Sequence, residues 1–239
     1  MVYRSAALPA KYQYAGASIT GRSRGTNEDA WAALPALGVF LVTDGCGGPD
    51  AGRVAADVTL ASVARAVACG NADPLATAIR EAHEALILAV DRGMGATVAT
   101  LQLAAPWVVT ASVGDCRVYR LRPNGSTGRS DGPKSALTLL TDATSQPGIE
   151  AQMLGDGSAP VVGVRRTALH PGDLYLLCSD GLTNQLDPGA IGAIVSEERL
   201  SLAGRCEQLL RAADEGVGED NVTVLLVRPG HEPVRPGAR

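Results

Sequence analysis

The residues best suited to chemistry are carboxylates that stand at the ends of apolar runs. Val39-Phe40-Leu41-Val42 reads as a buried strand, continues through Thr43 to Asp44, and is followed at once by Gly45-Cys46-Gly47-Gly48. Leu174 to Cys178 repeats the pattern, ending in Ser179-Asp180-Gly181, and Asp220-Asn221 stands just before the apolar run Val222 to Val227. Asp115 occupies a turn between two further apolar runs, and Glu28-Asp29 lie on a first hairpin. An unpaired carboxylate is costly in a core. Several of them at one sheet edge would repel one another unless cations neutralise them. Such a ligand set is all oxygen: carboxylates, the Gly45 carbonyl and water. It suits Mg²⁺ or Mn²⁺ rather than zinc or copper, and His83, His170 and His231 show no metal-ligand spacing. Two divalent ions in a carboxylate cluster are a known means of activating water against a phosphate ester. Arg24 lies four residues before Glu28, and a guanidinium there could grip phosphate oxygens bidentately. Singly, an Asp-Gly after a strand reads as a turn and Arg24 as a solvated loop residue. The combination carries the chemical reading.

The elements that must position these residues follow from periodicity. Tyr14 to Thr20 reads as a first strand, and residues 20–45 as a strand pair that turns at Pro35. After Gly52, Ala56, Leu60, Val63 and Val67 recur at helical spacing, with Gly70 able to cap the end. Asp73-Pro74 opens a second, adjacent helix with a stripe of Leu75, Ile79, Ala82, Leu86 and Val90. Ala96 to Leu103, Trp107 to Val113, Cys116 to Leu121 and Ala136 to Leu140 read as strands, with a polar loop over 122–135. Residues 143–160 read as an irregular excursion with a short helix near Ile149–Leu154. Leu174 to Cys178 is a buried strand, Asp187-Pro188 opens a short helix, and Leu202, Cys206, Leu209 and Ala213 mark a last one before the strand Val222 to Val227. Strands, two helices, many strands, two helices and one strand is neither βαβ alternation nor a bundle. It implies an α+β fold, with two antiparallel sheets packed together and helices outside.

Composition bounds the function. The chain has 239 residues, 46% of them apolar but only 3% aromatic, so Ala, Val and Leu must build the core of one domain. A net charge of −4 with no basic block argues against a nucleic-acid surface. Residues 1–16 show no signal-peptide pattern, and no run approaches the ~18 apolar residues of a membrane span. The five cysteines include no CxxC pair and read as reduced thiols packed as small apolar residues. A cytoplasmic protein is expected.

In order, Arg24-Gly25-Thr26-Asn27-Glu28-Asp29, Val42-Thr43-Asp44-Gly45-Cys46-Gly47-Gly48, Gly114-Asp115-Cys116-Arg117, Leu140-Thr141-Asp142, Leu177-Cys178-Ser179-Asp180-Gly181-Leu182 and Asp220-Asn221-Val222-Thr223 resemble the successive motifs of the bacterial protein phosphatase 2C family. These are metal-dependent Ser/Thr protein phosphatases. The resemblance covers roughly residues 15–228, leaving an N-terminal lead-in and a Pro/Gly-rich tail of a single phosphatase domain over 1–239. It implies a central antiparallel β-sandwich flanked by pairs of helices in α-β-β-α layers. Asp44 would bridge two metals, Mn²⁺ or Mg²⁺, and Asp180 and Asp220 would complete one site. The Gly45 carbonyl and the Glu28-Asp29 pair would serve the other, directly or through water. Asp115 with Asp180 would fit a third, weaker position. Arg24 would hold the substrate phosphate, and Asn221 would orient Asp220. A metal-bridging water would then attack phosphoserine or phosphothreonine directly, without a phosphoenzyme, so the cysteines are not nucleophiles.

Two departures stand out. Cys46 follows the Asp-Gly where some members have a histidine, and Pro49 stands where bacterial relatives commonly have one, so the general acid is unassigned and metal-bound water is the default. The segment between Asp142 and Val161, longer in many relatives, is compact here. The implied partners are phosphorylated proteins, substrates of a bacterial Ser/Thr kinase, and the chain is expected to be a monomer. A non-catalytic module on the same fold and a hydrolase of small phosphate esters are the rival readings. Retention of the carboxylates argues against the first; the second shares the site.

Overall fold

The computed structural model describes residues 12–48, 50–69, 74–89, 93–122, 137–141, 152–216 and 218–230. Their strands form two five-stranded sheets. One has the order β1 (Tyr12–Ile19), β10 (Val222–Pro229), β9 (Leu174–Cys178), β6 (Arg117–Leu121), β7 (Leu137–Leu139). The other has the order β2 (Asp29–Leu34), β3 (Val39–Cys46), β4 (Gly95–Ala104), β5 (Trp107–Val113), β8 (Gly163–Ala168). Every strand pairing within them is antiparallel.

Side chains alternate across a strand, and here both faces of the central strands are apolar because both are covered. Val39 and Leu41 of β3 pack with α1 (Ala51–Ala68) and α2 (Pro74–Ala89), while Phe40 and Val42 point to the facing sheet. In the first sheet, Leu176, Val224 and Leu226 meet α4 (Pro188–Val195) and α5 (Leu202–Glu215), and Tyr175, Leu177, Leu225 and Val227 fill the space between the sheets. The layers are therefore α-β-β-α, as the resemblance implies. Fully buried leucines such as Leu41 and Leu177 each contribute about 1.5–3 kcal/mol by leaving water. Truncating either to alanine would cost about 2–5 kcal/mol.

Local signals set the helix ends. Asp187 caps α4, its Oδ1 accepting the Gly189 and Ala190 N–H groups at 2.7 and 3.1 Å. Ser201 caps α5 by accepting the Gly204 N–H at 3.1 Å. The buried Arg205 donates to the carbonyl of Val195, an acceptor that the end of α4 leaves free, and to that of Leu200 in the following loop.

The structure departs from the sequence reading in three places. β8 was not expected; it is an edge strand with mostly exposed side chains, and Arg166 stacks 4.2 Å above the Trp107 ring. α3 (Asp180–Thr183) is a single helical turn at the end of β9. The helix expected near Ile149–Leu154 is absent over 152–154, where Leu154 is extended and forms a β-bridge with Ala96. Gly70, Asp73, the polar loop over 123–135, Asp142 and the two termini lie outside the described residues. No described helix is long and apolar enough to cross a membrane.

Candidate functional site

Between the sheets the filling changes from apolar to polar at one end. Asp44 lies on the same face of β3 as Phe40 and Val42, one residue pair beyond the last apolar contact. Register places Asp29 of β2 directly opposite it on one side and Thr97 of β4 on the other. Like charges directly across an antiparallel pair are unfavourable, so this is a position where ordinary sheet physics is violated. From the facing sheet, Ser179 and Asp180 follow the end of β9, and Asp220 and Asn221 precede β10. Asp115 sits in the turn between β5 and β6. The result is an open cavity of about 210 Å³ lined by Arg24, Asp44, Gly45, Cys46, Thr97, Asp115, Met153, Asp180 and Asp220.

Electrostatics mark this cavity as unsatisfied by protein alone. Burial pushes the Asp44 carboxyl well above the usual range, and the charges of Asp29, Asp180, Asp220 and Asp115 push it further. Asp180 is raised for the same reasons, burial first and then Asp115 and Asp220. Asp29 is pushed up to about 6 by burial, against the pull of hydrogen bonds from Thr223 and Ser179. Buried oxygens of Glu28 (Oε1), Asp29 (Oδ1) and Asp180 (Oδ1) have no hydrogen-bond partner. The contrast is Asp173, fully buried at the other end of β9. Arg122 grips it bidentately at 2.8 Å, and the Tyr175 hydroxyl donates to it at 3.2 Å. That carboxylate is a satisfied structural group; Asp180 at the cavity, and Glu28 and Asp29 behind it, each keep an unpaired oxygen.

A second observation concerns Gly45 and Gly52. A Cβ on Gly52 would lie 2.7 Å from both the Glu28 Oε1 and the Gly45 carbonyl oxygen. These two oxygens thus converge on one place, a cradle that only a side-chain-free residue leaves open. Mutual repulsion, orphaned oxygens and this cradle fit a hard, oxygen-seeking divalent cation. Among the described residues no three His, Cys, Asp or Glu side chains are already gathered into a closed cage. The fit therefore rests on the charge and the orphaned donors, including a backbone carbonyl.

Each expected residue has a definite place. Asp44, Gly45, Asp115, Asp180, Asp220 and Arg24 line the cavity together. Glu28 is buried behind Gly45, whose N–H donates to the Glu28 carbonyl at 3.1 Å. Asp29 does not line the cavity; it lies in the interior, accepting from the Ser179 hydroxyl at 2.8 Å. Arg24 is ion-paired with Asp220 at 2.9 Å, and this hydrogen bond is the main reason its pKa is raised. Gly21 makes that approach possible, since a Cβ there would strike the Asp220 backbone at 2.2 Å.

The expectation that Asn221 orients Asp220 is corrected in its detail. The Asn221 backbone N–H reaches Asp220 Oδ1 at 2.8 Å. The Asn221 side chain instead accepts from the Glu28 N–H at 2.9 Å and donates to the Thr26 carbonyl at 3.2 Å. It ties the Arg24–Glu28 turn to the start of β10. Cys46 is exposed at the rim, whereas Cys116, Cys178 and Cys206 are buried. Burial raises all three of those thiols, to about 12 for Cys178 and Cys206, so none of them is a thiolate nucleophile. Pro49 lies outside the described residues.

Sequence reasoning missed Thr97, Met153 and Asn184. Thr97 was accessible through register, as the residue paired with Asp44. Asn184 follows Asp180 by one helical turn and donates to its Oδ2 at 2.9 Å, but the helix that presents it is only four residues long. Met153 sits in a stretch without periodicity and gave no signal.

Comparison with known proteins gives a consistent result. The family model for stage II sporulation protein E matches residues 38–229. Serine/threonine phosphatase stp of Listeria welshimeri is 30% identical over 232 residues, covering 87% of this chain and 92% of that one. The crystal structure of the Mycobacterium tuberculosis serine/threonine phosphatase PstP/Ppp superposes with a TM-score of 0.77 at 27% identity, over 92% of this chain and 99% of that one. A structure of the catalytic domain of serine/threonine protein phosphatase PstP, in complex with two manganese ions, gives a TM-score of 0.74 at 27% identity, over 91% and 97% of the two chains.

Proposed function

Because this chain belongs to the bacterial protein phosphatase 2C family, we infer that it is a metal-dependent protein serine/threonine phosphatase acting on phosphorylated proteins. The observation that carries the reading is a cavity that gathers four mutually repelling aspartates and one guanidinium at the end of the sandwich. We assign the chain as one phosphatase domain, in which Asp44 would be shared by two Mn²⁺ or Mg²⁺ ions. Asp180 and Asp220 would complete one ion's ligands, and the Gly45 carbonyl with Glu28 would serve the other. Asp115, beside Asp180, suits a third, weaker position. Asp29 supports the centre from behind: anchored by Ser179, it fixes the strand pair that presents Asp44.

Two bound divalent ions would supply positive charge and a water of lowered pKa for in-line attack on phosphorus. The chain's own residues do the rest. Arg24 would exchange Asp220 for the phosphoryl oxygens, neutralising charge as it grows in the transition state. At 46% side-chain exposure it is free enough to make that exchange. The site is half-open, so a phosphorylated side chain can enter from the Arg24 and Cys46 rim. None of the described cavity-lining residues is a histidine, and metal-bound water remains the default donor of the leaving-group proton. The biological reaction would oppose a bacterial Ser/Thr kinase.

The test is Mn²⁺-dependent hydrolysis of p-nitrophenyl phosphate and of a phosphothreonine peptide. Activity should require the ion, vanish in EDTA and vanish in Asp44→Asn. An inactive wild type, or full activity in Asp44→Asn, would refute the assignment. A higher rate on small phosphorylated metabolites than on phosphopeptides would favour the small-ester reading instead.

A further inference from the structure

Among the described residues, Met153 is the only long apolar side chain on the cavity wall; its neighbours there are charged, polar or small. It belongs to a segment, 152–162, that has almost no regular structure of its own. What fixes the segment lies outside the cavity. Leu154 is fully buried in the core that joins α1 and α2 to the second sheet, and its backbone exchanges hydrogen bonds with Ala96 at 3.1 and 2.8 Å. The next residue, Gly155, donates its N–H to His83 Nδ1 at 3.1 Å. Gln152 closes the segment on itself, accepting from the Val161 N–H at 2.8 Å and donating to the Ala159 carbonyl at 3.1 Å.

His83 is only 6% exposed and sits on α2, in the outer helical layer, where it does not line the cavity. Because Nδ1 accepts, its neutral ring carries the proton on Nε2. A buried hydrogen bond from a backbone N–H to an imidazole nitrogen is directional. Losing the acceptor leaves a poorly solvated donor behind. Three consecutive residues are therefore committed in three directions: Met153 to the cavity, Leu154 to the core and Gly155 to α2.

We propose that His83 is a positioning residue that fixes Met153 at the mouth of the site, and that Met153 sets substrate specificity by contacting apolar atoms next to the phosphate of the bound phosphoprotein. The proposal rests on the phosphatase reading for its substrate, but the anchoring itself does not. Aspartates and Arg24 can recognise only phosphate and cations. An apolar wall beside them discriminates among the groups that carry the phosphate. A thioether adapts its shape to the apolar groups it meets.

Three variants test this: His83→Leu, which removes the acceptor, His83→Asn, whose side-chain oxygen can take the place of Nδ1, and Met153→Ala. In the Mn²⁺-loaded full chain, His83→Leu should raise KM for a phosphothreonine peptide about five- to tenfold through the lost contact. It should leave inhibition by inorganic phosphate, which has no apolar atoms to offer Met153, within about twofold. Met153→Ala should raise the same KM, and the double variant should be no worse than Met153→Ala alone, since both act through one contact. His83→Asn should restore the wild-type KM. Independently of activity, the Gly155 amide should exchange faster with solvent in His83→Leu and be protected again in His83→Asn. An unchanged peptide KM in a folded His83→Leu would overturn the proposal. So would an equal weakening of phosphate and peptide, or a Gly155 amide indifferent to His83. A wild type that exchanges as described but hydrolyses no phosphopeptide would overturn the phosphatase reading and leave the anchor standing.

Discussion

Replacing Asp44 by asparagine should make the ion-free protein more stable while destroying its activity. Asp44 is half-buried at the end of β3 and faces Asp29 across the strand pair, with Asp180, Asp220 and Asp115 also raising its pKa. In EDTA near neutral pH the wild type must either hold these charges together or keep a proton among them, and both cost free energy. Asparagine removes one charge at the centre of the cluster, keeps the shape, and can donate hydrogen bonds to the neighbouring carboxylates. A gain of roughly 1–2 kcal/mol is expected, in the range of other relieved functional sites. For a chain of this size that is about 2–8 °C in Tm. The gain should shrink as pH falls, because a raised carboxyl is already neutral there and the two side chains become equivalent. Saturating Mn²⁺ should reverse the order: the wild type would rise by about 3 kcal/mol at one hundred times the dissociation constant, and the variant by less. Phosphopeptide hydrolysis should fall by at least about 10²-fold, as when a central transition-state contact is lost. Differential scanning calorimetry in EDTA and in Mn²⁺, beside a rate assay, reads all of this. An Asp44→Asn protein less stable than wild type in EDTA at pH 7 would refute the electrostatic reasoning.

Other perturbations separate the parts of the site. Arg24→Ala should lower kcat/KM for a phosphopeptide by about 10²-fold. Because the Arg24–Asp220 pair is half exposed, stability should change by less than about 1 kcal/mol; a large Tm loss would recast Arg24 as a structural residue. Gly52→Ala should weaken Mn²⁺ binding in calorimetry, since the new methyl would lie 2.7 Å from the Gly45 carbonyl oxygen and Glu28 Oε1; unchanged affinity would remove those oxygens from the ligand set. Asp29 rises from 3.8 to about 6 on folding, so the folded chain holds this proton more tightly. Its stabilising effect is complete below about pH 4 and is lost as pH climbs to about 6. Urea midpoints in EDTA should therefore fall more steeply over that window in wild type than in Asp29→Asn, and equal slopes would count against a titrating Asp29.

The central strands were legible because apolar runs bounded by turn residues leave little freedom. Trp107–Val113 and Leu174–Cys178 appear in the structure with the bounds read from sequence. β8 was not, since Gly163-Val164-Arg165-Arg166-Thr167-Ala168 carries no apolar alternation. It is a strand by virtue of pairing with β5 at the sheet edge, and only one face needs covering. The carboxylates were legible by type and position, and four of them meet at one cavity. What sequence could not convey was depth and partnership. Asp29 and Asp44 stand fifteen residues apart by number, yet register alone decides that they oppose one another and that Asp29 lies behind. Likewise Arg24 and Asp220 are joined only because Gly21 lets two distant turns touch. Met153 and His83 gave no signal because their roles depend on a tertiary hydrogen bond across a segment without periodicity.

The most direct test of the two-ion centre is anomalous scattering at the manganese edge from crystals grown with Mn²⁺. Two peaks are expected on either side of the Asp44 carboxylate, one towards Asp180 and Asp220 and the other towards the Gly45 carbonyl. No peak at that end of the sandwich, or manganese bound only elsewhere, would contradict the assignment of these aspartates as a catalytic metal centre.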